Sequence, residues 1–269
     1  MTTQLVCKIV SYGAWGARFA NIDALRELFN GNEAIAEPLT GPKPAVIPAN
    51  ERRRAPLTVR LAVESSWQAT EACPLTPEQL KSVFVSGYGD TDLTDYMCRV
   101  LASDNKQLSP TKFHNSVHNA PAGYWTISTN ATQAANSVAG YTHSVSIALL
   151  EAMIQCQIES TPMLVTFYDA PVAATMRSIL PNHSAFAGSL IICPAASPLA
   201  GTTVTANVGD KTGEWPPLSC DNPYLAELYS QNPAAKLLCI LEKSLAGSSN
   251  KSALCLPLSD GSSISLEFS

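Results

Sequence analysis

Ser109-Pro110-Thr111-Lys112-Phe113-His114-Asn115-Ser116-Val117-His118-Asn119-Ala120-Pro121-Ala122-Gly123-Tyr124-Trp125 is the stretch on which the reading of this chain turns. It lies in a run from Asp104 to Glu151 with no carboxylate between those two residues and only Lys106 and Lys112 as basic ones. Solvated surfaces are rich in acids. A run of this length without them is expected in the core, in an interface with another chain, or in both. Just downstream, Ile147, Leu150 and Ile154 recur at helical spacing over residues 146–157, directly after the small-residue turn Ala139-Gly140. Residues 163–167 then form an apolar run short enough for a buried strand.

Outward from there, strand-like and helix-like segments alternate. Toward the N-terminus, residues 5–10 read as a buried strand stopped by Gly13 and Gly16. Ile22, Leu25, Leu28 and Phe29 follow at helical spacing, with Asn21 as cap and Gly31 as stop. Residues 31–57 carry Pro38, Pro42, Pro44, Pro48 and Pro56 with little periodicity, and read as an irregular insertion. A helix is expected over 61–72. Thr76-Pro77-Glu78-Gln79 has the form of a capping box with proline at the first helical position. A strand is expected over 82–86 and a helix over 92–102. Toward the C-terminus come strands at 190–193 and 202–208, one helix over 224–245, and a hairpin of 254–258 with 264–268 turning at Asp260-Gly261. Pro257 places one strand of that hairpin at a sheet edge. No internal repeat is visible. The alternation predicts a layered α/β domain.

Charged residues make up 14% of the 269 residues, where about 25% is usual. The deficit fits a large interface with another chain and, less well, a weakly charged monomer surface. The net charge of −5 argues against a partner held by phosphate neutralisation, so no nucleic acid is expected. The one basic cluster, Arg52-Arg53-Arg54, reads as a solvated loop or a partner contact. No apolar run reaches 18 residues, so no membrane span is expected. Eight cysteines stand at 7, 73, 98, 156, 193, 220, 239 and 255, none in CxxC spacing and none preceded by a secretory signal. They read as free, mostly buried thiols of a cytoplasmic protein.

Little of this announces chemistry. His114 and His118 are four apart, a spacing that puts two imidazoles on one helical face. A zinc site needs a third ligand; HExxH is absent and Pro121 and Gly123 weaken a long helix here, so no metal is expected. GxSxG is absent, and His143 beside Ser144 is a neighbour in sequence only. Gly13-Ala14-Trp15-Gly16 is too little of a glycine-rich loop for a nucleotide and reads as a strand-ending turn. No cofactor is expected.

The 109–125 string resembles the corresponding stretch of the β-ketoacyl synthase family, most closely its short, cysteine-less members that accompany active ketosynthases in aryl polyene pathways as chain length factors. The resemblance continues through 137–151, which is similar to the strand, nucleophile turn and buried helix of condensing enzymes. It covers roughly the first 190 residues and leaves 195–269 without a counterpart. It implies an α/β, thiolase-like layered fold, the N-terminal half of the condensing-enzyme architecture, with 1–269 as a single ketosynthase-like domain.

Departures from the family carry the functional reading. Extended without gaps, the match puts Thr142 where condensing enzymes hold their nucleophilic cysteine at a helix N-terminus. Cys156 lies about four helical turns further on, roughly 20 Å along the axis, and cannot substitute. A threonine hydroxyl without a dedicated base is a poor acyl nucleophile. The family's two decarboxylation histidines come from HGTGT-like and Asn-Phe-Gly motifs, and the sequence contains neither. The resemblance therefore implies a non-catalytic chain length factor, paired as a heterodimer with a full-length ketosynthase and reaching acyl carrier protein through that complex. The strand near 134–139 is expected to pair edge to edge with its counterpart, and Lys112, Phe113, Ser116 and Val117 are expected to line the partner's acyl channel. The alternative is an enzyme of the decarboxylase or residual acyl-transfer type acting on malonyl-carrier protein, with Thr142 or His143 in support.

Overall fold

The computed structural model describes residues 4–210, 213–246 and 252–269. The chain opens with β1 (Leu5–Gly16), twice the expected length and running through both glycines. Gly13 therefore sits inside the strand rather than in a turn. A Cβ there would lie 2.0 Å from Ser65 O, and only glycine lets the following helix come so close. Next comes α1 (Ile22–Phe29), whose first turn is capped by Asn21 accepting from Ala24 N. Within the proline-rich stretch stands the short α2 (Ala49–Arg54), so the three arginines lie on a helix and not in a loop. Pro48 directly before it has no N–H for the first turn to leave unpaired. Then α3 (Leu57–Glu71) crosses the sheet, buried on most of its surface.

The Thr76 capping box closes as expected, with Gln79 reaching back to Thr76 N, but it caps a single 3-10 turn. It leads into β2 (Lys81–Val85) and α4 (Thr91–Ala102), whose N-cap Asp90 accepts from Leu93 N. The quoted string forms α5 (Pro110–His114), a turn, and α6 (Ala120–Thr129). Pro121 does not disrupt α6 because it falls in the first turn. After β3 (Ala135–Val138) come α7 (Ser144–Glu159), β4 (Met163–Asp169), β5 (Phe186–Pro194) and β6 (Thr202–Gly209). The single helix expected over 224–245 is instead α8 (Pro223–Gln231), a 3-10 turn and α9 (Leu238–Leu245). The break is at Asn232-Pro233, where proline offers no backbone donor. The hairpin of β7 (Ser252–Ser259) and β8 (Ser262–Phe268) closes the chain.

The eight strands among the described residues form one sheet in the order β3-β2-β4-β5-β1-β6-β8-β7. β3, β2 and β4 run parallel, and every pairing beyond β4 is antiparallel. The last three strands, all from residues beyond 195, extend that same sheet past β1. β7 with Pro257 is one edge, as its proline implies. Two layers of helix cover the sheet. Met163, Val165 and Phe167 of β4 face α7, α9 and their neighbours, while Leu164 and Tyr168 face α3 and α6 around Trp125 and Leu61. This period-two division makes β4 an unbroken buried run. Each large side chain so buried contributes roughly 1.5–3 kcal/mol. Where α3 crosses the sheet the packing is polar. Ser66 bonds Thr166 at 2.7 Å, and Thr166 and Ser65 each bond Ser189 at 2.9 Å.

The acid-free run does not lie wholly in the core. Trp125, Val145 and Leu149 are buried, but Phe113, Val117, Ile127 and Tyr141 are exposed by 52–81%. Among the described residues no helix is long and apolar enough to cross a membrane.

Candidate functional site

Three parallel strands end side by side, and the loops that leave their carboxyl ends converge there, the usual location of a site in a parallel sheet. From β3 the chain passes through Ala139 and Gly140 into a 3-10 turn, Tyr141–His143, and then into α7. Tyr141 adopts φ +53°, left-handed backbone that a tyrosine rarely takes. The turn is held by its own side chains: Gly140 N donates to Ser144 Oγ at 2.9 Å, and Ser144 Oγ donates to Tyr141 O at 2.7 Å. Ser146 Oγ donates to His143 O and to Pro257 O, tying the start of α7 to the far hairpin.

Beneath this turn lies Asp169, the last residue of β4, with no exposed surface. Its Oδ1 accepts from Ser86 Oγ at 2.7 Å and Tyr88 N at 3.0 Å. Its Oδ2 accepts from Gly87 N at 3.0 Å and Ala234 N at 3.1 Å. Burial pushes the carboxyl up to about 6, and the four donors pull the other way without overcoming it. Asp169 thereby fixes the loop 86–89 after β2. A Cβ on Gly87 would lie 2.8 Å from Tyr141 O, so that loop in turn buttresses the turn. The rings of Tyr88 and Tyr141 stand 5.4 Å apart, and the Tyr88 phenol is pushed up to about 12, first by burial and then by Tyr141.

Thr142 sits in the 3-10 turn, half-buried, at the N-terminal entrance of α7. No cysteine shares that turn; Cys156 lies near the other end of α7, buried, with its thiol toward Ile192 O. His143 is the next residue. His118 approaches from the α5–α6 turn with Nε2 3.3 Å from Val138 O. His114 ends α5, so the two histidines do not share a helical face. Among the described residues no group of three metal-ligating side chains is found.

The four residues expected to line a channel spread over one exposed ridge. Lys112 holds its Nζ 3.7 Å from the centre of the Tyr96 ring on α4, a cation–π contact. Phe113 points to solvent, 58% exposed. Ser116 and Val117 line a cavity of about 450 Å³ between α4 and the α5–α6 segment, and Lys112 lines an adjoining one of about 260 Å³. Sequence reasoning passed over Asp169 at this end of the sheet, although it left a signal, a carboxylate closing the apolar run MLVTFYD.

The β-ketoacyl synthase N-terminal domain family model matches residues 29–225. Among curated proteins no match is found. Solved structures share the fold at low identity. A chain from the ketosynthase ApeO in complex with its chain length factor ApeC, from Xenorhabdus doucetiae, superposes with a TM-score of 0.73 at 17% identity, covering 98% of this chain and 99% of that one. The ishigamide ketosynthase/chain length factor gives 0.73 at 12% identity with the same coverage. A β-ketoacyl synthase from Burkholderia phymatum gives 0.67 at 11%, covering 99% of each chain. These likenesses establish a thiolase-like layered α/β fold of half size, and they include the strands beyond residue 195. The family match spans well over half of the sequence and takes in β2 to β6, the Tyr141 turn and the α5–α6 ridge, so the chain belongs to the β-ketoacyl synthase family.

Proposed function

We propose that this chain is a chain length factor: a subunit without acyl chemistry of its own that pairs with an active ketosynthase and shapes the channel in which its acyl chain grows. The observation that carries the reading is the turn at the head of α7. A condensing enzyme requires a thiolate there, activated by the helix N-terminus. Gly140-Tyr141-Thr142-His143 offers a phenol, a secondary hydroxyl and an imidazole, with every cysteine elsewhere.

The surroundings fit a partner subunit. β3 is an edge of the sheet, with its outer side unpaired among the described residues and no proline, charge or bulge to discourage another strand. The acid-free run also exposes Phe113, Val117, Ile127 and Tyr141, apolar side chains that a partner could cover. Two of the structures sharing the fold come from ketosynthases with chain length factors, and the 109–125 string resembles the chain length factors of aryl polyene pathways. Lys112, Phe113, Ser116 and Val117 would face the partner's channel, with carrier protein reaching this subunit through the complex.

Co-expression with its cognate ketosynthase tests the reading. A 1:1 complex is expected, whose product disappears on mutating the partner's cysteine and persists in Thr142→Ala. Carbon dioxide release from malonyl-carrier protein by this chain alone would contradict it and favour an enzyme.

A further inference from the structure

Two thiols that the proposed function does not use meet between the sheet and its helical layer. Cys7 on β1 and Cys156 on α7 belong to the same core and are 1% and 0% exposed. Cys7 Sγ lies 3.9 Å from Met153 O, about one turn before Cys156 on the helix. The residues beside the cysteines join the same two elements. Val6 N donates to Gln157 Oε1 at 2.9 Å, and Gln157 Nε2 donates to Gln4 O at 3.5 Å. Strand and helix are thus tied together at the level of the pair.

The two thiols also interact with each other. A hydrogen bond between their side chains is the first influence on both, holding Cys7 below the usual thiol range and pushing Cys156 above it, where burial adds to the rise. Other buried cysteines are engaged elsewhere. Cys239, in the same core, turns its Sγ to Lys236 O at 3.1 Å, and Cys193 packs on the opposite face of the sheet. A single buried cysteine is a small apolar filler. Two in contact, one of them the readier thiolate, are the starting arrangement for a disulfide. Gln157 is exposed, so the pair lies just inside the surface, near the start of β1 and the end of α7, where elements open most readily.

We infer that Cys7 and Cys156 form a redox-sensitive pair that a hydroperoxide converts to a disulfide, locking the end of α7 to the start of β1. The Cys7 thiolate attacks the peroxide, the O–O bond breaks, and hydroxide or alkoxide leaves, giving a sulfenic acid on Cys7. That oxidation removes the thiolate that kept Cys156 protonated. Cys156 then gives up its proton, its sulfur attacks the sulfenic sulfur, the S–O bond breaks and water departs as the S–S bond forms. Two electrons pass from the two thiols to the peroxide. The inference does not rest on the chain-length reading, since it needs neither a partner subunit nor an acyl chain.

Peptide mapping gives an unambiguous readout, because trypsin leaves Cys7 and Cys156 each as the one cysteine of its peptide, 1–8 and 113–177. The exposed thiols Cys98 and Cys255 are first capped in the folded protein with iodoacetamide. Hydrogen peroxide is then added, and the remaining thiols are trapped with N-ethylmaleimide in denaturant. Peptides 1–8 and 113–177 should appear linked, and the intact mass should fall by two hydrogens. The link closes a loop over more than half of the chain, so the urea midpoint should rise and return to its starting value with dithiothreitol. In Cys156→Ala, dimedone should trap a sulfenic acid on Cys7. In Cys7→Ala, Cys156 should stay a thiol. Circular dichroism shows that each variant is folded before it is scored. Recovery of both cysteines as maleimide adducts at peroxide levels that oxidise uncapped Cys98 would overturn the inference. So would a link from either one to a different cysteine, or a sulfenic acid on Cys156 in Cys7→Ala.

Discussion

Asp169 shows how far one residue organises this end of the molecule. Its carboxyl titrates near 6 in the folded chain against 3.8 ordinarily, so the folded state holds the proton more tightly. The stability this group contributes is fully present below about pH 4 and is lost as pH rises through about 6, a swing of about 3 kcal/mol. Urea unfolding between pH 4 and 7 should show that decline, and Asp169→Asn should flatten it. The same substitution turns an amide N–H toward backbone donors and should lower the urea midpoint at pH 4.5. Gly13→Ala is expected to be worse. Its Cβ meets the backbone of α3 at 2.0 Å, and a loss of 3 kcal/mol or more should appear as poor recovery of folded protein. Asp169 left one trace in the sequence, its place at the end of an apolar run, but its four donors come from residues distant in the chain. The constraint on Gly13 left none, since a strand glycine looks like any other until the chain folds its neighbours around it.

Elements were far more legible than their limits. A short apolar run gave β4, and helical spacing gave α1, α4 and α7, nearly as they stand, because each buries one face or both against the sheet. Three features escaped for local reasons. α2 carries no apolar face, so periodicity had nothing to register. The break at Pro233 lies in a sequence otherwise apolar enough for one helix. The long extension of β1 was masked by glycines that serve close packing. The acid-free run was legible as something other than ordinary surface, and the structure exposes much of it. On the proposed reading β3 carries the interface at this scale. In its parallel pairing the N–H groups of Ala135 and Ser137 face away from β2. Ser137→Pro removes one outward donor and blocks the edge, so it should abolish co-purification with the ketosynthase while the isolated chain keeps its circular dichroism spectrum.

For the whole molecule, the layered fold of the condensing enzymes is present, and on the proposed reading the turn at the head of α7, which carries Thr142 and no cysteine, stands where their nucleophile would. That turn has strained backbone at Tyr141 and is braced by the loop that Asp169 anchors. If the α5–α6 ridge limits the partner's channel, filling it should shorten the product. Val117→Trp in the complex should reduce the longest acyl chain by at least one extension step, and Val117→Ala should lengthen it, read by mass spectrometry of carrier-bound products. Each methylene of overlap in a packed channel costs about 1–3 kcal/mol, enough to stop extension. The most direct test of the central claim is intact-mass measurement of both subunits, trapped during turnover of the purified complex. An acyl increment on the ketosynthase with this chain at its unmodified mass is the result expected. An acyl adduct on this chain, formed in a preparation free of ketosynthase, would contradict it.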